Sequence, residues 1–132
     1  AYDGMVFEGN IQVHSMCSHH HLPFFGVAHV AYIAKPEGKI IGLSKLNRTV
    51  EFYSRRPQVQ ENLTMQIHDH LDEVLVTHGG IAVMVSAKHL CACLRGVKHP
   101  HSEMKTSKIS GGFKDGKDGV RQEFYNFIKD MK

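Results

Sequence analysis

Cys17, His19, His20 and His21 fall in one short run, Cys-Ser-His-His-His, and two further cysteines, Cys91 and Cys93, recur far along the chain. A Cys-x-x-His spacing sets the Cys17 thiolate and the His20 imidazole where one loop can wrap a cation. Zinc takes such mixed sulfur and nitrogen ligands in tetrahedral geometry. Cys91 can supply a third ligand. Three protein ligands leave a fourth position for water, whose pKa bound zinc lowers to roughly 7. Two other arrangements stay open on spacing alone. Cys93 can close a structural Cys3His site, or Cys17 can be an inert buried thiol with no metal at all.

The composition limits what surrounds this chemistry. The chain has 132 residues, 42% hydrophobic and 22% charged, which fits a single globular domain over 1–132. Its 11 histidines stand against 16 Lys+Arg and 13 Asp+Glu, with a formal charge of +3 when every imidazole is neutral. That charge rises near neutral pH, where unperturbed imidazole titrates. Three cysteines, an odd number, argue against a disulfide scaffold. Few thiols and no signal-peptide pattern make a cytoplasmic location the expectation. No apolar run approaches the ~18 residues a membrane span needs. There is no dense Lys/Arg block and no Trp, so neither a nucleic acid nor a membrane is an expected partner.

The elements that must position the candidate ligands follow from periodicity. Phe7–His14 alternates loosely and reads as a strand, with Met16–His21 as a loop. Phe24–Ile33 reads as a second strand, and the Lys35–Lys39 stretch, with Pro36 and Gly38, as a turn. Leu43, Leu46, Val50 and Tyr53 recur at helical spacing behind Ser44, the expected N-cap. Pro57 interrupts the chain. Val59, Leu63, Ile67, Leu71, Val74 and Leu75 then form a second helical stripe, which Gly79 and Gly80 are expected to stop. Ile81, Val83, Val85, Ala87 and His89 share one face of a third strand, and Cys91 follows on that face if the strand persists. Thr106–Phe113 reads as a fourth strand, stopped or bulged at Gly111-Gly112, and Val120–Met131 as a last helix. The expected class is α+β, a mostly antiparallel sheet with helices on one face.

The chain resembles the GTP cyclohydrolase I family from about Ile11 to Phe127. The resemblance rests on four segments in order: Ser15-Met16-Cys17-Ser18-His19-His20 followed by Leu22-Pro23-Phe24; Gly42-Leu43-Ser44-Lys45-Leu46-Asn47-Arg48; Arg56-Pro57-Gln58-Val59-Gln60-Glu61-Asn62-Leu63-Thr64; and His89-Leu90-Cys91 with Arg95-Gly96. It implies zinc held by Cys17, His20 and Cys91. It implies His19 and His89 as proton-transfer and substrate-contacting groups, Gln60 and Glu61 on the guanine edge, and Ser44, Lys45, Arg48 and Arg95 on the triphosphate. The implied reaction removes carbon 8 of GTP as formate and yields 7,8-dihydroneopterin triphosphate, a first step toward folate, pterins or 7-deazaguanine nucleosides. The implied fold is the tunnelling fold (T-fold), whose sheets join into barrels in ring-shaped homo-oligomers, commonly decamers, with active sites between subunits.

The residue chemistry agrees with those roles. A carboxylate such as Glu61 accepts two parallel donors from a guanine edge, and Lys and Arg suit a triphosphate. Three departures from the family pattern stand out. Ser18 occupies a position where the family usually has Glu, His21 adds an imidazole beside His20, and the family's N-terminal helical region does not precede the motifs, so a short form is expected. His14 and His29 have strand parity. His68, His70, His78, His99 and His101 read as surface or loop residues, and Arg55 and Arg56 as a solvated pair. Two other functions remain: a related T-fold enzyme acting on another purine nucleotide such as dGTP, and a non-catalytic module with a closed zinc site.

Overall fold

The computed structural model describes residues 4–18, 21–90, 103–116 and 119–131. They form β1 (Met5–Cys17), β2 (Pro23–Ile33), α1 (Leu43–Ser54), β3 (Pro57–Gln58), α2 (Gln60–Leu75), β4 (Gly80–His89), β5 (Met104–Ile109), α3 (Gly112–Asp115) and α4 (Val120–Asp130). One five-stranded sheet runs in the order β3-β1-β2-β4-β5. Every pairing is antiparallel except the short β1–β3 pair, in which Met16 and Cys17 lie beside Pro57 and Gln58.

The loose alternation of the first strand has a physical cause. The β1–β2 register shifts between Glu8 and Ile11, and Asn10 sits there at φ 56°. An extra residue in one strand flips side-chain parity. Before the bulge Phe7 and Met5 face one side of the sheet; after it Ile11, Val13 and Cys17 face the other.

Both sheet faces are covered by helices, which corrects the expectation of one. On the first face Ala28, Val30 and Tyr32 of β2 and Ile81, Val83 and Val85 of β4 pack with Leu46 and Val50 of α1 and Leu63, Ile67, Leu71 and Leu75 of α2. Each such buried aliphatic contributes roughly 1.5–3 kcal/mol. On the second face Ala31, Ala82, Ile33 and Met84 meet Phe113 of α3 and Phe124, Val120 and Ile128 of α4. Small residues, Ala31 and Ala82, let the terminal helix approach. No described helix is long and apolar enough to cross a membrane.

Four local expectations are also corrected. β1 continues to Cys17, so the polar loop is shorter than Met16–His21. The N-cap of α1 is Gly42, and Ser44 lies inside the first turn, exposed, with no capping bond. α2 ends at Val76, with φ 54° and ψ −62°, where the Thr77 N–H bonds back to Leu75 O, ahead of the glycines. β5 stops at Ile109, and Gly111 (φ 61°) turns the chain into α3.

Candidate functional site

Antiparallel pairing brings the end of β1, the start of β2 and the end of β4 to one end of the sheet. Ser15 pairs with Phe24, and Phe24 pairs with His89. Cys17 lies two residues beyond Ser15, buried, and its N–H donates to Leu22 O at 2.8 Å. The His21 N–H returns to Cys17 O at 2.9 Å, with His21 at φ 54°. These bonds close the base of the connection that carries the Cys-x-x-His segment.

The start of α2 is fastened to the same end. Gln58 is buried on β3, and its amide donates to Tyr53 O and to Arg56 O (3.1 Å). The Ser18 N–H donates to Gln58 O at 3.2 Å. This bracing sets Gln60 and Glu61, the first two residues of α2, beside the strand ends. Gln60 is 1% exposed, and its Oε1 lies 2.7 Å from His89 Nε2. The His89 ring stacks on Phe24 at 4.5 Å with an interplanar angle of 12°. Burial holds the His89 pKa below the usual imidazole value, and the nearby charge of Glu61 offsets part of that shift. Glu61 is exposed in the first helical turn, where the helix dipole favours a carboxylate. It lines a cavity of about 230 Å³ with Thr64, Thr106 and Lys108.

Lys45 and Arg48 are brought together elsewhere. They line a cavity of about 460 Å³ along α1 with Thr49, Phe52, Tyr53 and His70. The Tyr53 hydroxyl is 3.0 Å from His70 Nδ1. No residue of this cavity lines the Glu61 cavity.

His19, His20, Cys91, Cys93 and Arg95 lie outside the described residues, as do His99 and His101. Of the expected zinc ligands only Cys17 is described, and no three His, Cys, Asp or Glu side chains cluster to hold a metal among the described residues. The donor set itself, two thiolates and one imidazole, fits zinc.

Two histidines expected on the surface or left open prove to be core groups. His68 is 4% exposed, with Nε2 2.8 Å from Ser110 Oγ and Nδ1 2.9 Å from Asp69 Oδ1. This serine–histidine–aspartate line is a strut between α2 and the end of β5. Asp69 is exposed and tied to Lys108 at 2.8 Å; that bond, then the His68 bond, holds its carboxyl below the usual range. The N–H groups of Ser110 and Gly112 are already given to Ile81 O and Gly79 O, so they are not the free donors an oxyanion hole needs. His29 is buried, and its Nδ1 accepts the Asn10 N–H at 3.2 Å. The residues sequence reasoning missed are Phe24 and Thr64, present in the motifs without an assigned role, and Thr106, whose 46-residue separation from Gln60 gives no local signal.

Residues 1–129 match the family model described as GTP cyclohydrolase I. A GTP cyclohydrolase 1 of Chlorobium chlorochromatii is 53% identical over 129 residues, 98% of this chain and 56% of its own. One from Flavobacterium johnsoniae is 50% identical over 97% of this chain and 55% of its own, and one from a Sulfurihydrogenibium species is 48% identical over 100% and 68%. The chain thus spans little more than half the length of the first two. Among solved structures, the archaeosine synthase QueF-Like in its apo form superposes with a TM-score of 0.65 at 15% identity, over 85% of this chain and 98% of that one. At that identity the likeness shows the fold alone, the α+β T-fold expected from the sequence.

Proposed function

Because this chain belongs to the GTP cyclohydrolase I family, we propose that residues 1–132 are its catalytic domain and open the guanine ring of GTP by zinc-dependent hydrolysis, giving formate and 7,8-dihydroneopterin triphosphate. The observation that carries this reading is the sheet end that gathers Cys17, Gln60, Glu61 and the His89–Phe24 stack.

Cys17, His20 and Cys91 would hold the zinc, since Cys17 ends β1 at the sheet end where β4 stops at His89, two positions before Cys91 in the sequence. Bound there, zinc supplies the Lewis acidity that makes water a nucleophile at neutral pH. The chain's own groups do the rest. Glu61, with no hydrogen-bond partner among the described residues, accepts two N–H donors from the guanine edge. His89 moves a proton to or from the ring as its nitrogens change valence, and His19 serves the same purpose from the ligand loop. Ser44, Lys45, Arg48 and Arg95 hold the triphosphate, Arg through its planar fork and Lys as a point charge.

The Lys45–Arg48 cavity and the Glu61 cavity have no lining residue in common. We assign the two cavities to one GTP site completed between subunits, as the family resemblance implies. The sheet supports assembly: the outer edge of β1 is paired with β3 only at Met16 and Cys17, and the outer edge of β5 pairs with no described strand. Open edges are templates for strand addition. We assign the partner to a second copy of this chain in a ring.

The test is to incubate metal-loaded protein with GTP and follow formate together with the pterin fluorescence that appears on oxidation. Both products are expected, both lost on chelation and restored by zinc, and both abolished in Cys91→Ala. Retained turnover in Cys91→Ala would overturn the ligand set.

A further inference from the structure

We propose that Gln60 is a positioning residue which, backed by Thr106 and Thr64, fixes His89 as the tautomer protonated at Nε2, so that Nδ1 is the nitrogen offered to the substrate. The proposal rests on the reading of His89 as the proton-transfer group, and it deepens that reading.

The argument is one of donors and acceptors. Gln60 Nε2 lies 3.1 Å from Val85 O, 2.9 Å from Met104 O and 3.2 Å from Thr106 Oγ1. Two of these are backbone carbonyls, which only accept, so the amide NH2 must face them. The flipped amide would set its oxygen against both carbonyls, acceptor facing acceptor, at a side chain that is 1% exposed. Oε1 therefore faces His89 Nε2 at 2.7 Å. An amide oxygen cannot donate, so Nε2 carries the proton, and in the neutral ring Nδ1 holds the lone pair. No described group bonds to Nδ1.

The two threonines complete the lock. Thr106 Oγ1 and Thr64 Oγ1 are 2.6 Å apart, and the Thr64 hydroxyl donates to Gln60 O at 3.1 Å. With the Thr64 proton so used, Thr106 donates to Thr64, and its Oγ1 shares a Gln60 amide proton with a backbone carbonyl, since the NH2 has two protons for three acceptors. The protons run one way around the loop: Gln60 amide to Thr106, Thr106 to Thr64, Thr64 to the Gln60 carbonyl. Reversing the amide breaks that loop. Phe24 meanwhile fixes the plane of the imidazole. Every polar atom of the Gln60 side chain is thus engaged within the protein, so Gln60 acts through His89 rather than on the substrate.

The experiment has two arms on the zinc-loaded assembly. In the first, ¹⁵N NMR of histidine-labelled protein at about pH 8, above the ordinary imidazole range, is compared with His89→Gln to assign the signal. Wild type is expected to show a protonated Nε2 and a bare Nδ1 at His89, and Gln60→Leu to show a mixture of tautomers. A bare Nε2 in wild type, or an unchanged tautomer in Gln60→Leu, would overturn the proposal. In the second arm, Thr106→Val is expected to lower kcat for GTP roughly tenfold or more with little change in KM, and Thr106→Ser, which keeps the hydroxyl, to restore it. Failure of the serine variant to rescue would count against the relay. If wild type turns over no GTP, the proposed reaction fails, while the tautomer measurement still decides the role of Gln60.

Discussion

At the scale of single residues, His29 shows how this chain keeps an imidazole neutral. It is buried against Phe7, its Nδ1 is occupied by the Asn10 N–H, and burial first and the charge of Lys105 second hold its pKa below the usual value. The unfolded chain therefore binds the proton more readily. Stability is intact above the ordinary imidazole pKa, about 6.5, and falls as pH drops below it. His29→Gln, which keeps an acceptor for Asn10, is expected to flatten that acid limb in urea midpoints taken from about pH 7 to pH 5. An unchanged slope would place the acid sensitivity elsewhere. Cys17 was singled out by its spacing to His20, and Gln60, Glu61 and His89 through the family resemblance, whose segments are local. The burial of His68 was not, since its partner Ser110 is 42 residues away. A histidine on α2 has no sequence signature that separates a buried strut from a solvated side chain.

At the scale of elements, the long helical stripe of α2 and the strict alternation of β4 were legible because one face of each is buried over its whole length. The terminal helix was legible as a helix but not its side of the sheet, since the Ala31–Ala82 patch that receives it looks like any pair of small strand residues. Helix ends were read from residue preference, and there the structure differs. Val76 ends α2 at φ 54° in a tight turn closed by Thr77. A β-branched residue in that region costs on the order of 1–3 kcal/mol. Val76→Gly is expected to raise thermal stability by about 1 kcal/mol after the entropy cost of glycine, read as a higher Tm without loss of GTP turnover. A lower Tm would show that the valine side chain contributes more than its backbone conformation costs. Ser44 makes the complementary case. It has no capping bond, so Ser44→Ala is expected to leave stability within about 0.5 kcal/mol of wild type, read as a nearly unshifted Tm. If Ser44 contacts the triphosphate, the same variant raises KM for GTP. A large fall in Tm would mean that the hydroxyl is a structural group.

At the scale of the whole molecule, the described residues form a sheet whose outer strands leave edges open, and Glu61 and the Lys45–Arg48 pair line two separate cavities. Assembly was expected through the family resemblance, and pattern reading alone did not contain it, because an edge strand and a central strand alternate in the same way. Sedimentation is expected to show a closed homo-oligomer, and proline substitutions along β5 to dissociate it with loss of turnover. A fully active monomer would remove the reason for dividing the site between subunits. The most direct measurement of the central claim follows carbon 8 of GTP. With label at that carbon, the zinc-loaded assembly is expected to release one labelled formate for each pterin triphosphate formed. Unaltered GTP after prolonged incubation with the assembled, zinc-loaded protein would contradict it.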